Sequence, residues 1–499
     1  MKLFERIERK MNGKQLGPFT LVNKKFIRAG WDAADKGGTL DDHWRKANNK
    51  PPITEATPAE LRLIRARVRH EFNNNSYCRG IVNTVANYVI GTGPKLRLVP
   101  RGSVASEDRR TLYEYANLFN DWAWEIDLAR KLRVAYCAKI KDGEGFLSLG
   151  TRIIKGAGIT LNVKPFECDL VSHNDFMRDP GLPDGVNLDR DGNITSYEIL
   201  PRHPGNASPF TFTDKPKQVP AGEVVHMYDE TRPGLVRGIS EIVAGLRMFA
   251  QLSRYSSAVV ASAEAEAEIT AVLKTQAPPS TGVQKVNPNE YFTLEHNTIL
   301  SLPGGWELQY VPKSQPGQNH EAFLRTIIRD FGRGIGVPYA VAAADASGHN
   351  YSSMRGDWQG FYEEIKVRRN DVEHSALEKI FAEFNKEARL VFDDYGKMPQ
   401  DFDYYWDWPG YEHVDPLKVA NAQRVKLENK TTTLAREYAA QGLFYEDEIE
   451  QLKYEQGLTK DLVTVTKAAN RTTPAADGGE DDQSNERGED DQSNERGDE

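Results

Sequence analysis

The spacing of apolar residues changes twice along this 499-residue chain, and each change limits the architectures open to it. From Thr57 to about Leu132 apolar side chains recur every three or four positions, the period of helices with one buried face. Between about Val134 and Tyr228 the period is two, as in strands buried on one side. From about Ile239 the helical period returns. A pure helical bundle and a pure β-sandwich are both excluded by this succession, which reads as α+β.

Local signals place the elements. Thr57-Pro58-Ala59-Glu60 is a capping box with proline at the first helical position, so a helix starts there and runs to the Asn73-Asn74-Asn75 break. A second helix follows from Ser76 and stops at Gly91-Thr92-Gly93. Leu112, Tyr115, Phe119, Trp122 and Ile126 predict a third, from about Glu107 to Leu132. Strands are expected at Gly145–Leu149, around Ile159–Val163 and at Ile194–Leu200, with Asp191-Gly192-Asn193 as a hairpin turn. An alanine-rich helix spans about Ile239 to Thr270, and strand and turn material fills 271–316. Helix resumes from about His320 to Gly334 and is broken by Gly336-Val337-Pro338. A loop of small residues reaches Tyr351, a long helix runs from Ser352 to about Glu387, and Asp415-Pro416 opens short helices that end at Gly442 and Gly457.

Charge is segregated. The net formal charge is −9, yet residues 477–499 alone carry eleven acids and two arginines, leaving 62 acids and 62 bases in residues 1–476. A neutral body argues against a protein that wraps DNA by bulk neutralisation of phosphates. The tail holds Glu480–Gly488 repeated without change as 489–497; a nonapeptide with no apolar residue buries nothing, so 461–499 reads as an acidic disordered tail. Residues 1–54, with twelve bases and six acids, read as a poorly ordered basic arm.

The chain offers little chemistry. Walker A, GxGxxG and GxSxG motifs are absent, and His70-Glu71 and His320-Glu321 lack the second histidine of a zincin. Cys78, Cys137 and Cys168 form neither a CxxC nor an even set, so no metal, cofactor or disulfide framework is expected, and a reducing compartment is. No apolar run is long enough to span a membrane. Two features stand out. Arg325, Arg329 and Arg333, four apart on one helix, make a stripe of guanidinium groups, with Lys366 and Arg369 a weaker pattern on the next helix. Such a stripe lines a DNA path, pairs with a neighbouring subunit's acids (Glu264 and Glu268 are candidates), or is a solvated face paired with Glu321 or Asp330. The second feature is the loop with Ser347, Gly348, His349 and Asn350, either a functional tip or an ordinary connection.

Several segments carry a family likeness. Arg65-Ala66-Arg67, Asn73 to Tyr77 and Val89-Ile90-Gly91-Thr92-Gly93 resemble the opening of tailed-bacteriophage portal proteins of the lambda-like group. His226 through Arg237-Gly238-Ile239-Ser240, Phe331 to Pro338, Asn350 to Ser353 with Arg355, Trp408-Pro409 and Asp415 to Lys418 continue the resemblance, over roughly residues 55–460. The resemblance implies a non-enzymatic homo-oligomeric ring, typically of twelve copies, at one vertex of the virion capsid, assembled in the host cytoplasm. It implies a channel for double-stranded DNA during packaging and ejection. The implied partners are the terminase large subunit, the major capsid or scaffold protein and a head–tail adaptor, with no membrane. It also implies a mixed α/β wing at 55–238, stem helices at 239–270 and 317–335 flanking a small β-containing clip at 271–316, and a tunnel loop at 336–351. A long helix at 352–400 would return to the wing, and crown helices would lie at 401–460. Two other readings stay open. One is a metal-dependent enzyme acting on nucleic acid through acids such as Asp393, Asp394, Asp401 and Asp403; the other is an adaptor or minor capsid protein outside the channel.

Overall fold

The structure, a computed structural model, describes residues 49–457 apart from 102–105, 153–157, 174–182, 207–214, 269–270, 276–305, 311–316, 318, 392–401, 411–415, 440, 444 and 447. The basic arm, most of the 271–316 segment and the duplicated acidic tail therefore lie outside the described residues. In chain order the helices and strands are α1 (Pro58–Asn74), α2 (Ser76–Val89), β1 (Lys95–Pro100), α3 (Ser106–Glu125), α4 (Leu128–Asp142), β2 (Glu144–Thr151), β3 (Leu161–Phe166), β4 (Val186–Leu188), β5 (Ile194–Ile199), β6 (Lys217–Pro220) and β7 (Val224–Tyr228). They continue as α5 (Leu246–Glu268), β8 (Ala271–Thr275), β9 (Trp306–Tyr310), α6 (His320–Ile335), α7 (Tyr339–Ala343), α8 (Tyr351–Val372), α9 (Glu378–Val391), β10 (Phe402–Asp407), α10 (Pro416–Glu428) and α11 (Leu434–Ala439). The α+β expectation holds. The chain divides into two compact units, one formed by residues up to Gly91 with Ile126–Asp393, the other by Thr92–Glu125 with the chain from Asp394 on.

In the first unit α1 starts at the predicted capping box: the Thr57 and Glu60 side chains each bond the other's backbone N–H. Asn75 ends α1 and caps α2 by accepting from the Tyr77 and Cys78 N–H groups. That helix then buries Cys78, Ile81, Val82, Val85, Ala86 and Val89, each isoleucine and valine contributing about 1.5–3 kcal/mol by leaving water. The expected single helix from Glu107 to Leu132 is two helices. Asp127 adopts a left-handed conformation (φ 55°) between α3 and α4. The second of them runs to Asp142, through residues read as the start of the strands, because Leu132, Ala135, Tyr136 and Ile140 still follow the helical spacing.

Two antiparallel three-stranded sheets, ordered β3-β2-β7 and β4-β5-β6, follow. They share a core that includes Phe146, Val171, Val186, Tyr197 and Val224. The 191–193 turn forms as expected, with Asp189 accepting the Asp191 and Asn193 N–H groups. Gly143 and Gly238 let the end of α4 meet the segment after β7: a Cβ on Gly238 would lie 2.1 Å from the Gly143 carbonyl oxygen. The long helix begins at Leu246 instead of Ile239, since 239–245 is taken up by turns in which Ser240 Oγ bonds the Ile140 carbonyl. Helix α6 buries Ile327, Ile328, Phe331 and Ile335, and Phe331 stacks on Phe249 of α5 at 3.7 Å between ring centres. Gly336 (φ 76°) ends α6. The expected loop from 339 is first the short α7, and the helix after it is α8 and α9 joined by a π-helical turn at Glu373–Leu377.

In the second unit β1 pairs antiparallel with β10, so strands on either side of the Ile126–Asp393 segment share one sheet. Asn120 of α3 binds both the N–H and the carbonyl of Leu96, and Arg97 pairs with Asp407 at 2.6 and 3.1 Å. Phe119, Trp122 and Trp406 form its aromatic core. Of the acids offered for a metal-dependent enzyme, Asp403 pairs with Arg101, and Asp393, Asp394 and Asp401 lie outside the described residues.

Candidate functional site

The four-residue spacing sets the three arginines of α6 one turn apart, but the chain after the helix treats them differently. Pro338 turns the backbone so that α7 brings Tyr339 beside the helix, with its ring centre 5.9 Å from the Arg325 guanidinium carbon and 5.4 Å from that of Arg329. Ala344 in a left-handed conformation (φ 53°) ends α7, and the loop folds back. Asp345 then accepts the Ser347 N–H at 2.9 Å and the Tyr339 hydroxyl at 3.2 Å. Arg325 pairs with Glu321 at 2.7 Å, the pairing left open by the sequence, and donates to Ser347 Oγ at 3.4 Å. Arg329 and Arg333 are exposed and form no ion pair among the described residues. His349 is half-buried, 3.8 Å from Asp357, and Asn350 caps α8 through a reciprocal pair of bonds with Ser353. Gly348 sits against Arg325, where an added Cβ would come within 3.3 Å of Nη1.

Other candidate residues are spread apart. Lys366 is exposed and paired with Glu363. Arg369 is buried and donates to the Tyr88 and Val89 carbonyls, closing the C-terminal end of α2 instead of presenting charge at the surface. Glu264 is exposed on α5, and Glu268 is that helix's last residue. A groove of about 510 Å³ opens between the middle of α5 and the start of α6, lined by Tyr255, Val259, His320 and Phe323. Phe323 and Val260 beside it are about half exposed.

Among the described residues, a network of interlocked charges is internal. Glu144, at the start of β2, is fully buried and accepts from Arg65 at 2.7 Å, from Arg237 at 2.7 and 2.8 Å and from the Gly238 N–H at 2.9 Å. His226 Nε2 lies 3.3 Å away, its ring stacked on Phe146 and Tyr228. Burial by itself would raise the Glu144 carboxyl; Arg237, His226 and Arg65 outweigh it and hold the group well below the usual carboxylate range. Burial pushes the His226 imidazole down despite Glu144. Asp169 joins the network through Arg65 and Arg69 at 3.0 and 2.6 Å. Its grouping with Glu167 and His203 has metal-ligand spacing, but two guanidinium groups already hold the Asp169 oxygens and oppose a cation there. This network joins the Arg65 and Arg237 segments on one carboxylate.

Residue-by-residue reading missed Tyr339, Asp345 and Glu144. Tyr339 and Asp345 had a local signal, an aromatic residue after Gly-x-Pro and an acid six positions later. Glu144 had none, since its partners lie 79 and 93 positions away.

The chain matches the family described as "Phage portal protein, lambda family" over residues 37–369, which begins inside the segment read as a poorly ordered basic arm. It is 22% identical over 435 residues to the "Probable portal protein" of Halomonas phage phiHAP-1, covering 79% of this chain and 80% of that one. Among solved structures it is similar to a chain of the neck of a native GTA particle computed with C12 symmetry, at 12% identity and TM-score 0.44, over 78% of this chain and 95% of that one. A chain of the neck of an empty GTA particle computed with C6 symmetry gives 13% identity and TM-score 0.41, over 76% and 93%.

Proposed function

Starting from the fact that this chain belongs to the lambda family of phage portal proteins, we propose that copies of it form the ring at one capsid vertex through which double-stranded DNA is packaged and ejected. On this reading α5 and α6 are the stem helices, the 344–350 loop faces the channel, and the residues from 401 to 460 belong to the crown. The terminase large subunit, a head–tail adaptor and the capsid or scaffold protein dock on the ring, which is part of the virion and has a structural, non-enzymatic role.

The observation that carries the reading is the state of the α6 arginines. Arg329 and Arg333 are exposed cations without acidic partners among the described residues, and Arg329 lies over the Tyr339 ring. Few cations on a neutral body suit a path along which DNA slides, because each phosphate neutralised adds a counterion-release term that would hold it in place. The exposed Phe323 and Val260 beside the α5–α6 groove support burial against another copy. The test is packaging by rings carrying Arg329→Ala and Arg333→Ala. The expected outcome is assembly at a mass near twelve times 56.1 kDa with reduced packaged DNA. Unchanged DNA content in intact rings removes the channel role of these residues, and a monomeric wild-type chain removes the ring.

A further inference from the structure

Side chains of alternating sign run from the end of β7 to the end of α6. Asp229 accepts from Lys139 at 2.6 Å, Lys139 also donates to Glu241 Oε1 at 3.1 Å, and Glu241 Oε2 accepts from Arg368 Nη1 at 2.8 Å. Arg368 Nε then donates to Glu364 at 2.9 Å, and its Nη2 donates to the Ile335 carbonyl at 2.9 Å, at the negative end of the α6 dipole. Burial would raise the Glu241 carboxyl; Lys139 and Arg368 outweigh it and hold the group below its ordinary value. One guanidinium therefore grips both long helices, α6 at its last residue and α5 through Glu241 in the turns that precede it. Away from these ends the helices are thinly held. Among the described residues α5 buries only Phe249 and Leu252, and α6 buries nothing before Ile327. Helix α5 has a tie of its own, the Asn75 amide on the Phe249 carbonyl and Ser253 Oγ at 3.4 and 3.1 Å.

We propose that Arg368 is a joint coupling α5 to α6: the two helices loosen and settle together, because the end of one and the approach to the other share its guanidinium. A planar fork of N–H donors spans these acceptors at once, which a single ammonium does not. Removing Arg368 takes away the tie without stranding a charge, since Glu241 keeps Lys139. Breaking the joint thus frees both helix ends and leaves the Lys139–Asp229 pair at the end of β7 in place. The α5–α6 pair is then one conformational unit whose attachment is set by a residue of α8. This inference does not depend on the ring reading or on what the helices face.

Hydrogen exchange is followed on the full-length protein, in the assembly state it adopts, in peptides covering 241–256, 328–337, 144–151 and 224–228. Arg368→Met is expected to speed exchange about tenfold in 241–256 and 328–337 alike, the factor for one lost charge-assisted hydrogen bond, with 144–151 and 224–228 unchanged. Arg368→Lys keeps a charge beside Glu241 and serves if the methionine variant does not fold; it is expected to speed both helix peptides together by a smaller factor. Ser253→Ala removes a contact of α5 alone and is expected to change 241–256 while 328–337 stays as in the wild type. A response in only one helix for either Arg368 variant overturns the inference, and so does no response. Equal speeding in the sheet peptides also overturns it, because Arg368 would then be a general support of the fold. A matching rise in 328–337 for Ser253→Ala overturns it too, since the helices would then be coupled through the Phe249–Phe331 stack instead.

Discussion

Replacing Glu144 by glutamine keeps the volume of the side chain and removes its charge, which isolates the electrostatic role of the buried network. Arg237 binds both Glu144 oxygens through Nε and Nη2, so either orientation of an amide turns an N–H₂ group toward a guanidinium donor. Arg65 keeps a carboxylate partner, Asp169 at 3.0 Å, and the Asp142 carbonyl. Arg237 keeps the carbonyls of Val171, Cys168 and Asp184 but loses the only carboxylate bonded to it among the described residues. Breaking one side of a buried pair costs about 3–5 kcal/mol, and the retained Asp169 places Glu144→Gln at about 3–4 kcal/mol. At about 2 °C per kcal/mol for a unit of this size the melting temperature should fall by roughly 6–8 °C. Calorimetry measures the shift, and hydrogen exchange in 144–151 locates it. A double change, Glu144→Leu with Arg237→Met, removes both charges and should recover much of the loss. A shift below about 2 °C for Glu144→Gln would refute the account, because the network would then be incidental to holding the Arg65 and Arg237 segments together.

Two further outcomes follow from the same region. Gly238→Ala places a Cβ 2.1 Å from the Gly143 carbonyl oxygen and 2.8 Å from Tyr228 Cβ; with no flexible side chain able to yield, soluble yield should collapse, and any folded fraction should lose more than the ~1–3 kcal/mol of ordinary overpacking. His226 is held neutral in the fold while the unfolded imidazole keeps its ordinary value of 6.5, so the unfolded chain binds the extra proton and stability falls as pH drops below that value. The depressed Glu144 carboxyl acts at lower pH: its contribution is present above about 4.5 and is lost as pH falls through its folded value. The urea midpoint should therefore decline between pH 7 and pH 5 in the wild type and decline less in His226→Gln; equal slopes would show that His226 does not titrate on unfolding.

How much was legible depended on how far apart the interacting groups lie in the chain. The capping box at Thr57 and Glu60, the Asn75 junction, the 189–193 turn and the glycine stop at Gly336 each involve residues within a few positions of one another. Backbone geometry over such a span is dictated by local sterics and hydrogen bonding. The periodicity gave the alternation of helix and strand for the same reason, and went wrong at 127–142. A single left-handed residue, Asp127, resets the helix there without changing the spacing of the apolar positions. The arginine stripe of α6 was visible as four-residue spacing, because one helix places its own side chains.

What became of those charges was decided by tertiary structure. Arg325, Arg329 and Arg333 look alike in sequence, yet the fold-back of the loop after Pro338 gives the first an acid, a hydroxyl and a ring, and leaves the last exposed. Arg369 read as a surface cation and is instead a clamp on carbonyls 280 positions earlier in the chain. The family likeness was readable from ordered short segments, but not that two of them, at Arg65 and Arg237, converge on Glu144. By itself the sequence determined which segments are helix or strand and where its charges sit along the chain. Only chain closure determined which of those charges are paired, because a Coulomb interaction depends on distance and burial in space, and neither is a function of separation along the sequence.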